Sequence, residues 1–281
     1  MPLARASRRA TVLTTVVVVI AVYVASLIGY GVLEQTPRQF AFPEEAVTGD
    51  TAVIVRLRQM EAAQNRLDVD VLVHPGVELR SPPTQFTVRL SSWTQSGELI
   101  FVHDDLVGSE ESTSFAAIGD PDDWPFDRYT TDTIGIELFA GTGGGQRPIT
   151  APIVVGGNVN GWVIDSRYST VGAVPAVQFE IQRTRAALVL IAGILLVLLT
   201  LPAAALFVAI ETVLDRRGLQ PAFVTWIAAM LFAVAPLRNV LPGVPPAGAW
   251  IDMAVIVWVF GALAAAMVIY LVAWWRQTRP E

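Results

Sequence analysis

The stretch Val177-Gln178-Phe179-Glu180-Ile181-Gln182-Arg183-Thr184-Arg185-Ala186-Ala187-Leu188-Val189-Leu190-Ile191 changes its period within a few residues. Up to Gln182 apolar and polar side chains alternate, the pattern of a strand with one buried face. From Ala186 the chain stays almost wholly apolar to about Ile210, enough to cross a hydrocarbon core about 30 Å thick as a helix. A β-rich domain is therefore expected to end where a membrane-spanning segment begins. Comparable apolar runs cover Thr11 to Leu33, Pro221 to about Leu237, and Trp250 to Trp275. The expected fold class is an α+β membrane protein with four transmembrane helices, one before and three after an external antiparallel β-sandwich domain. Its segments are a tail and signal-anchor helix (1–33), the external domain (34–185), a three-helix bundle (186–275) and a short tail (276–281).

Composition agrees with this division. The 281 residues are 53% hydrophobic and only 16% charged, against a usual charged share of about a quarter. Between Glu34 and Arg185 stand 21 acidic residues and 11 Arg, a balance of −10, so the rest of the chain carries +4 within the total of −6. An acidic domain of this kind repels phosphate backbones, which argues against nucleic acid as a partner. The absence of Cys excludes disulfides, thiolate metal sites and Cys nucleophiles.

Arg residues set the expected orientation. Arg5, Arg8 and Arg9 precede the first run, Arg216 and Arg217 fall between the second and third, and Arg276 and Arg279 follow the last. Basic residues next to spanning helices stay in the cytoplasm, so both termini are expected there and residues 34–185 outside, in a multi-pass cell-membrane protein. The first apolar run exceeds the 7–15 residues or so of a cleavable signal, which favours an uncleaved anchor. Arg183 and Arg185, on the outer side, are the two dissenters. Small residues at Ala203 to Ala205, Gly261-Ala262 and Ala264 to Ala266 suit close helix packing.

Within the external domain, alternation predicts nine strands: Ala52 to Met60, Arg66 to His74, Gln85 to Trp93, Glu98 to His103, Ser112 to Ile118, Tyr129 to Phe139, Ile153 to Val155, Asn158 to Asp165 and Val177 to Gln182. Gly141 to Gly145 lacks the Lys-Ser/Thr pair of a phosphate-cradling loop and reads as a connection between strands. His74 and His103 fall on separate strands, and no nucleophile–base pair or other catalytic constellation is recognisable, so neither catalytic residues nor a cofactor are expected.

Two clusters remain as candidate sites. In Gly119-Asp120-Pro121-Asp122-Asp123-Trp124-Pro125-Phe126-Asp127-Arg128-Tyr129 the carboxylates of Asp120, Asp122 and Asp123 are the candidate cation ligands, although the spacing is not that of an EF-hand. The structural alternative has Asp groups binding backbone N–H, Arg128 balancing the charge of Asp127, and Trp124, Phe126 and Tyr129 sealing the domain. The second cluster is the Pro- and Gly-rich connection from Ala235 to Asp252. Arg238 and Asp252 stand there at opposing helix ends, as an ion pair or a headgroup site.

Trp124-Pro125-Phe126-Asp127-Arg128-Tyr129, together with Leu237-Arg238-Asn239-Val240-Leu241-Pro242-Gly243 and Pro245-Pro246 in a one-plus-three helix layout, resembles the bacterial membrane-protein family designated domain of unknown function 4436. The resemblance covers nearly the whole chain. It implies a cell-envelope protein of actinobacterial type and brings no catalytic residues with it. Pro125-Phe126-Asp127 is also similar to the Phe-Pro-Phe-Asp signature of pentameric ligand-gated channels. An extra leading helix, three rather than four helices after the domain, and no polar pore-lining helix weigh against that assignment.

The expected function is non-enzymatic: partner binding, or an accessory subunit of a membrane complex such as a transporter of lipids or cell-wall precursors. The expected partners are the lipid bilayer and a membrane protein. A ligand- or cation-binding sensor is the alternative, followed by a membrane enzyme acting on envelope lipids.

Overall fold

The computed structural model describes residues 51–76, 85–92, 96–102, 110–141, 145–214 and 218–277. The expected first helix, His103, the 142–144 glycine loop, Arg216, Arg217 and Arg279 lie outside them. Eleven strands are present among the described residues: β1 (Ala52–Glu61), β2 (Arg66–His74), β3 (Gln85–Ser91), β4 (Ser96–Val102), β5 (Glu110–Gly119), β6 (Arg128–Thr131), β7 (Ile134–Ala140), β8 (Arg147–Ile149), β9 (Ile153–Gly156), β10 (Trp162–Val171) and β11 (Val174–Arg183). Three helices follow: α1 (Arg185–Val213), α2 (Ala222–Asn239) and α3 (Asp252–Gln277), the last opening with a π-helical turn at Asp252–Ile256. Each is long and apolar enough to cross a membrane. Sheet and helices belong to one compact unit.

The strands form one mixed sheet in the order β4-β3-β7-β11-β6-β5-β2-β1-β9, with β10 added to β11 and β8 to β7. The expectation of a purely antiparallel domain is corrected at one place. Val53 to Arg56 of β1 pair in parallel with Ile153 to Gly156 of β9, because the chain returns from the far part of the sheet rather than by a hairpin. Gly157 closes this edge at φ +104, where a Cβ would stand 2.6 Å from the Leu57 carbonyl oxygen, so only glycine fits.

β5 joins the two portions of the sheet. Its residues Glu110 to Ala116 pair with β2, whereas Ala117 to Gly119 pair with β6. The apolar faces of both portions meet in one core that includes Val55, Leu67, Val69 and Val71 from one and Phe86, Val88, Ile136 and Phe179 from the other. Phe115 and Phe179 stack across it with centroids 6.3 Å apart.

The strands depart from expectation at three places for local reasons. The run Tyr129 to Phe139 is two strands, since β6 pairs with β5 and β11 and the chain then shifts to pair β7 with β3. The short β8 was hidden by Pro148, which lacks the N–H a ladder uses and is tolerated where a strand has one partner. β10 runs six residues beyond Asp165 because it pairs in register with β11 throughout, although its outer half is exposed and polar.

The helices bury Leu198, Ala205 and Ala209 of α1, Ile227 and Val234 of α2, and Val259, Leu263, Ala266 and Tyr270 of α3 in a common core. Of the small residues expected there, Ala205 and Ala266 are buried while Ala203, Ala204, Gly261, Ala264 and Ala265 are exposed. At the end of the bundle away from the sheet, the Tyr270 hydroxyl donates to the Gln220 carbonyl (2.7 Å) and accepts from the Gln220 N–H (2.9 Å), tying α3 to the entry of α2.

Candidate functional site: the junction of sheet and helices

Only Thr184 separates β11 from α1, and its hydroxyl caps the helix by accepting from the Ala187 N–H at 3.1 Å. Arg183 therefore has its place fixed by the last rung of a sheet and the first turn of a helix. It stands opposite Trp162 in the β10–β11 ladder, and its guanidinium lies over that indole at 4.4 Å from the ring centroid. The rest of the guanidinium is turned inward to a carboxylate.

That carboxylate belongs to Asp127, which immediately precedes β6 and is 1% exposed. Nε and Nη2 of Arg183 donate to its two oxygens in a fork, the second at 2.8 Å. The Tyr129 hydroxyl donates to the same carboxylate at 3.0 Å, and the Tyr129 ring meets Trp162 edge-on. Burial pushes the Tyr129 phenol well above its ordinary range, and the Asp127 charge pushes the same way, so the phenol stays a neutral donor.

The third arm reaches the membrane side. Arg183 Nη1 and Trp124 Nε1 both donate to the Pro242 carbonyl, at 3.3 and 3.2 Å. Trp124 is buried in one apolar cluster with Ile191 of α1, Leu241 and Ala249 of the α2–α3 connection, and Ile251. Next to Pro242, Gly243 has φ +69, and a Cβ there would lie 2.5 Å from Arg183 Nη1. The sequence needs glycine at 243 twice over, for backbone conformation and for room.

The α2–α3 connection is itself held by Arg238 and Asp252. Arg238 Nε and Nη2 each bond a carboxylate oxygen of Asp252 at 2.7 Å, and Nη2 also donates to the Pro245 and Pro246 carbonyls at 3.2 Å. Asp252 in turn accepts from the Gly248 N–H at 3.0 Å. This fork closes the loop that presents the Pro242 carbonyl upward. The two motifs, far apart in sequence, are the two halves of one contact.

The remaining candidates fall elsewhere. Arg128 is exposed and does not balance Asp127; Arg183 does, because β11 lies beside β6 and points its last side chain at the buried carboxylate. Phe126 is exposed and seals nothing, unlike Trp124 and Tyr129. Asp120 accepts from the Asp122 N–H at 2.9 Å and so caps the short turn Pro121–Asp123, while Asp122 and Asp123 face solvent. Among the described residues no three His, Asp or Glu side chains are grouped to hold a metal ion.

The sequence reading missed Arg183, Pro242 and Gly243 as partners. The available signal was Arg183 itself, a cation that the expected topology puts on the outer side, against the charge rule. It also missed a polar groove of about 450 Å³ on the outer face of β1, β2 and β5. There the buried Asp70 accepts from Ser112 Oγ (2.8 Å) and Arg58 Nη1 (3.1 Å), beside an irregularity in the pairing at Leu57 to Gln59. Burial alone would raise the Asp70 carboxyl, but the hydrogen bonds it accepts from Ser112 and Arg58, with the Arg58 charge, outweigh that and hold it below the usual carboxylate range.

A mixed β-sheet region, whose buried Arg183 and Trp124 hold the connection between helices of membrane-spanning length, marks a membrane protein. The model of the family designated domain of unknown function DUF4436 matches residues 41–182, and the chain belongs to this family. A second model, for the domain of unknown function DUF8686, matches residues 183–277. The boundary between the two matches falls at Arg183, the residue that ties the regions together. No curated protein matches the chain.

Proposed function

We propose that this chain is a non-enzymatic component of a membrane complex, in which an external β-sandwich recognises a partner and the helices hold that sandwich in a fixed attitude to the bilayer. The junction carries this reading. A domain that merely needed anchoring would tolerate a flexible linker, whereas here one residue joins strand to helix, and Arg183, held by its buried fork with Asp127, donates with Trp124 across the joint to the Pro242 carbonyl. Fixed attitude matters when the partner is itself in the membrane. In this reading the apolar run before the sandwich is a fourth, signal-anchor helix, both termini are cytoplasmic, and the protein resides in the cell envelope. An accessory subunit of a lipid or cell-wall-precursor transporter fits these features.

The experiment is purification in mild detergent, with identification of what accompanies the wild-type chain and the Asp127→Asn and Gly243→Ala variants. Recovery of one membrane protein with the wild type, and its loss from variants whose sheet region still melts cooperatively, is expected. Equal recovery from all three would show that a fixed attitude is irrelevant, and turnover of a co-purifying lipid would establish an enzyme instead.

The same joint also suits a sensor, in which occupancy of the groove at Asp70 would alter β2 and, through β5 and β6, Asp127. Covalent attachment of a bulky label at Ser112 that changes the accessibility of a Cys at position 244 would favour this second reading.

A further inference from the structure

Phe126 is 68% exposed, more than any other large apolar side chain among the described residues of the sheet region. It is held outward rather than left loose. Its N–H donates to the Asp123 carbonyl at 2.9 Å, and its neighbours in the loop, Trp124 and Asp127, are both buried in the junction. Trp124 shares a cluster with Ile191, six residues into α1 and so about 9 Å along that helix. The loop carrying Phe126 thus lies alongside the first turns of α1, not above them.

At that level the surface of the helices is already apolar. Val189 and Leu190 of α1, Val240 and Val244 of the α2–α3 connection, and Trp250 are all exposed there. Two cations flank the level: Arg128, two residues after Phe126, and Arg185, the first residue of α1, are both exposed. An exposed aromatic ring on a loop that packs against the first turns of α1, with exposed Arg at 128 and 185 in the same junction, matches a phospholipid, whose acyl and glycerol region takes the ring and whose phosphate takes the cations. A second copy of the chain would have to cover the same cations with carboxylates.

We infer that Phe126 inserts into the membrane interface, making the turn Pro121–Phe126 a lipid contact of the sheet region separate from its helices. Asp122 and Asp123 keep the rest of the turn in water, so that the ring alone enters. Because Phe126 lies between Trp124 and Asp127, the lipid surface bears directly on the residues that set the attitude of the sheet. The inference rests on the reading that the helices span the bilayer.

The test uses the absence of Cys. Single Cys residues at Phe126, at Leu196 in the middle of α1 and at Ser96 in β4 are labelled with bimane, and the full chain is reconstituted in phosphatidylcholine–phosphatidylglycerol vesicles with or without acyl-chain bromination. Loss of emission at 126 approaching that at 196, with none at 96, is expected. Quenching at 196 but not at 126 overturns the inference while leaving the spanning reading intact, whereas no quenching at 196 removes the spanning reading itself. Should Phe126→Cys fold poorly, the aromatic photocrosslinker benzoylphenylalanine at 126 gives the same decision. A lipid adduct is expected, and an adduct to a second copy overturns the inference.

Discussion

The Arg183 guanidinium grips the Asp127 carboxylate with two parallel hydrogen bonds across 56 positions of sequence, and its remaining nitrogen reaches the Pro242 carbonyl at 3.3 Å. One side chain thereby joins the end of β11, the loop before β6 and the α2–α3 connection. Both charges are withdrawn from water, so removing one member leaves the other stranded.

Asp127→Asn and Arg183→Met are each expected to destabilise the protein by about 3–5 kcal/mol, with the double variant costing less than the sum. Arg128→Ala should stay within about 0.5 kcal/mol, as an exposed position does. Thermal melts of the four proteins in one detergent decide this. A large loss on changing Arg128 would restore it as the partner of Asp127.

Gly243→Ala should cost more than about 1 kcal/mol, because a left-handed backbone and an approach of 2.5 Å to Arg183 Nη1 both oppose a Cβ. Gly261→Ala in α3 is the control, since nothing lies within 4 Å of a Cβ there. If the two variants melt alike, the Gly243 contact has no energetic weight.

Arg238 and Asp252 should show a coupling of roughly 0.5–3 kcal/mol in a double-mutant cycle, since they share a fork at 2.7 Å. Arg238→Ala should also loosen the loop that presents Pro242, visible as faster protease cleavage between Val240 and Gly248. Additive costs would mean that the two side chains act separately and would leave the headgroup role for Arg238.

Asp70 gives a pH dependence with a definite sign. Its carboxyl is held below the usual range in the folded chain, so its contribution to stability is full above the unfolded value of about 4 and is lost as pH falls through the lower folded value. The wild type should lose more stability than Asp70→Asn between neutral pH and the acid side of that window. Parallel acid-unfolding curves would show that the Ser112 and Arg58 contacts do not favour the charged form.

Single Cys residues report the orientation. An impermeant thiol reagent on intact cells should label Ser96→Cys and spare Gly218→Cys and Gln277→Cys. The opposite pattern would invert the proposed topology.

Period alone determined much of this protein. The switch from alternation to an unbroken apolar run at Arg183 to Ala186 marked the end of the β-region, and α1, α2 and α3 lie where long apolar stretches require their backbone groups to be paired within a helix. Strand pairing is a long-range choice, so β5 changing partners at Ala117, the parallel β1–β9 pair and the division of Tyr129 to Phe139 were settled only by the folded sheet. The site divides in the same way. Arg238 and Asp252 could be matched from sequence because a short Pro-rich turn brings helix ends together. Asp127 had a cation one residue away in Arg128, yet successive strand residues point to opposite faces, which leaves Arg128 exposed and the buried carboxylate to Arg183. That partner is supplied by the neighbouring strand, and only the tertiary structure places it there.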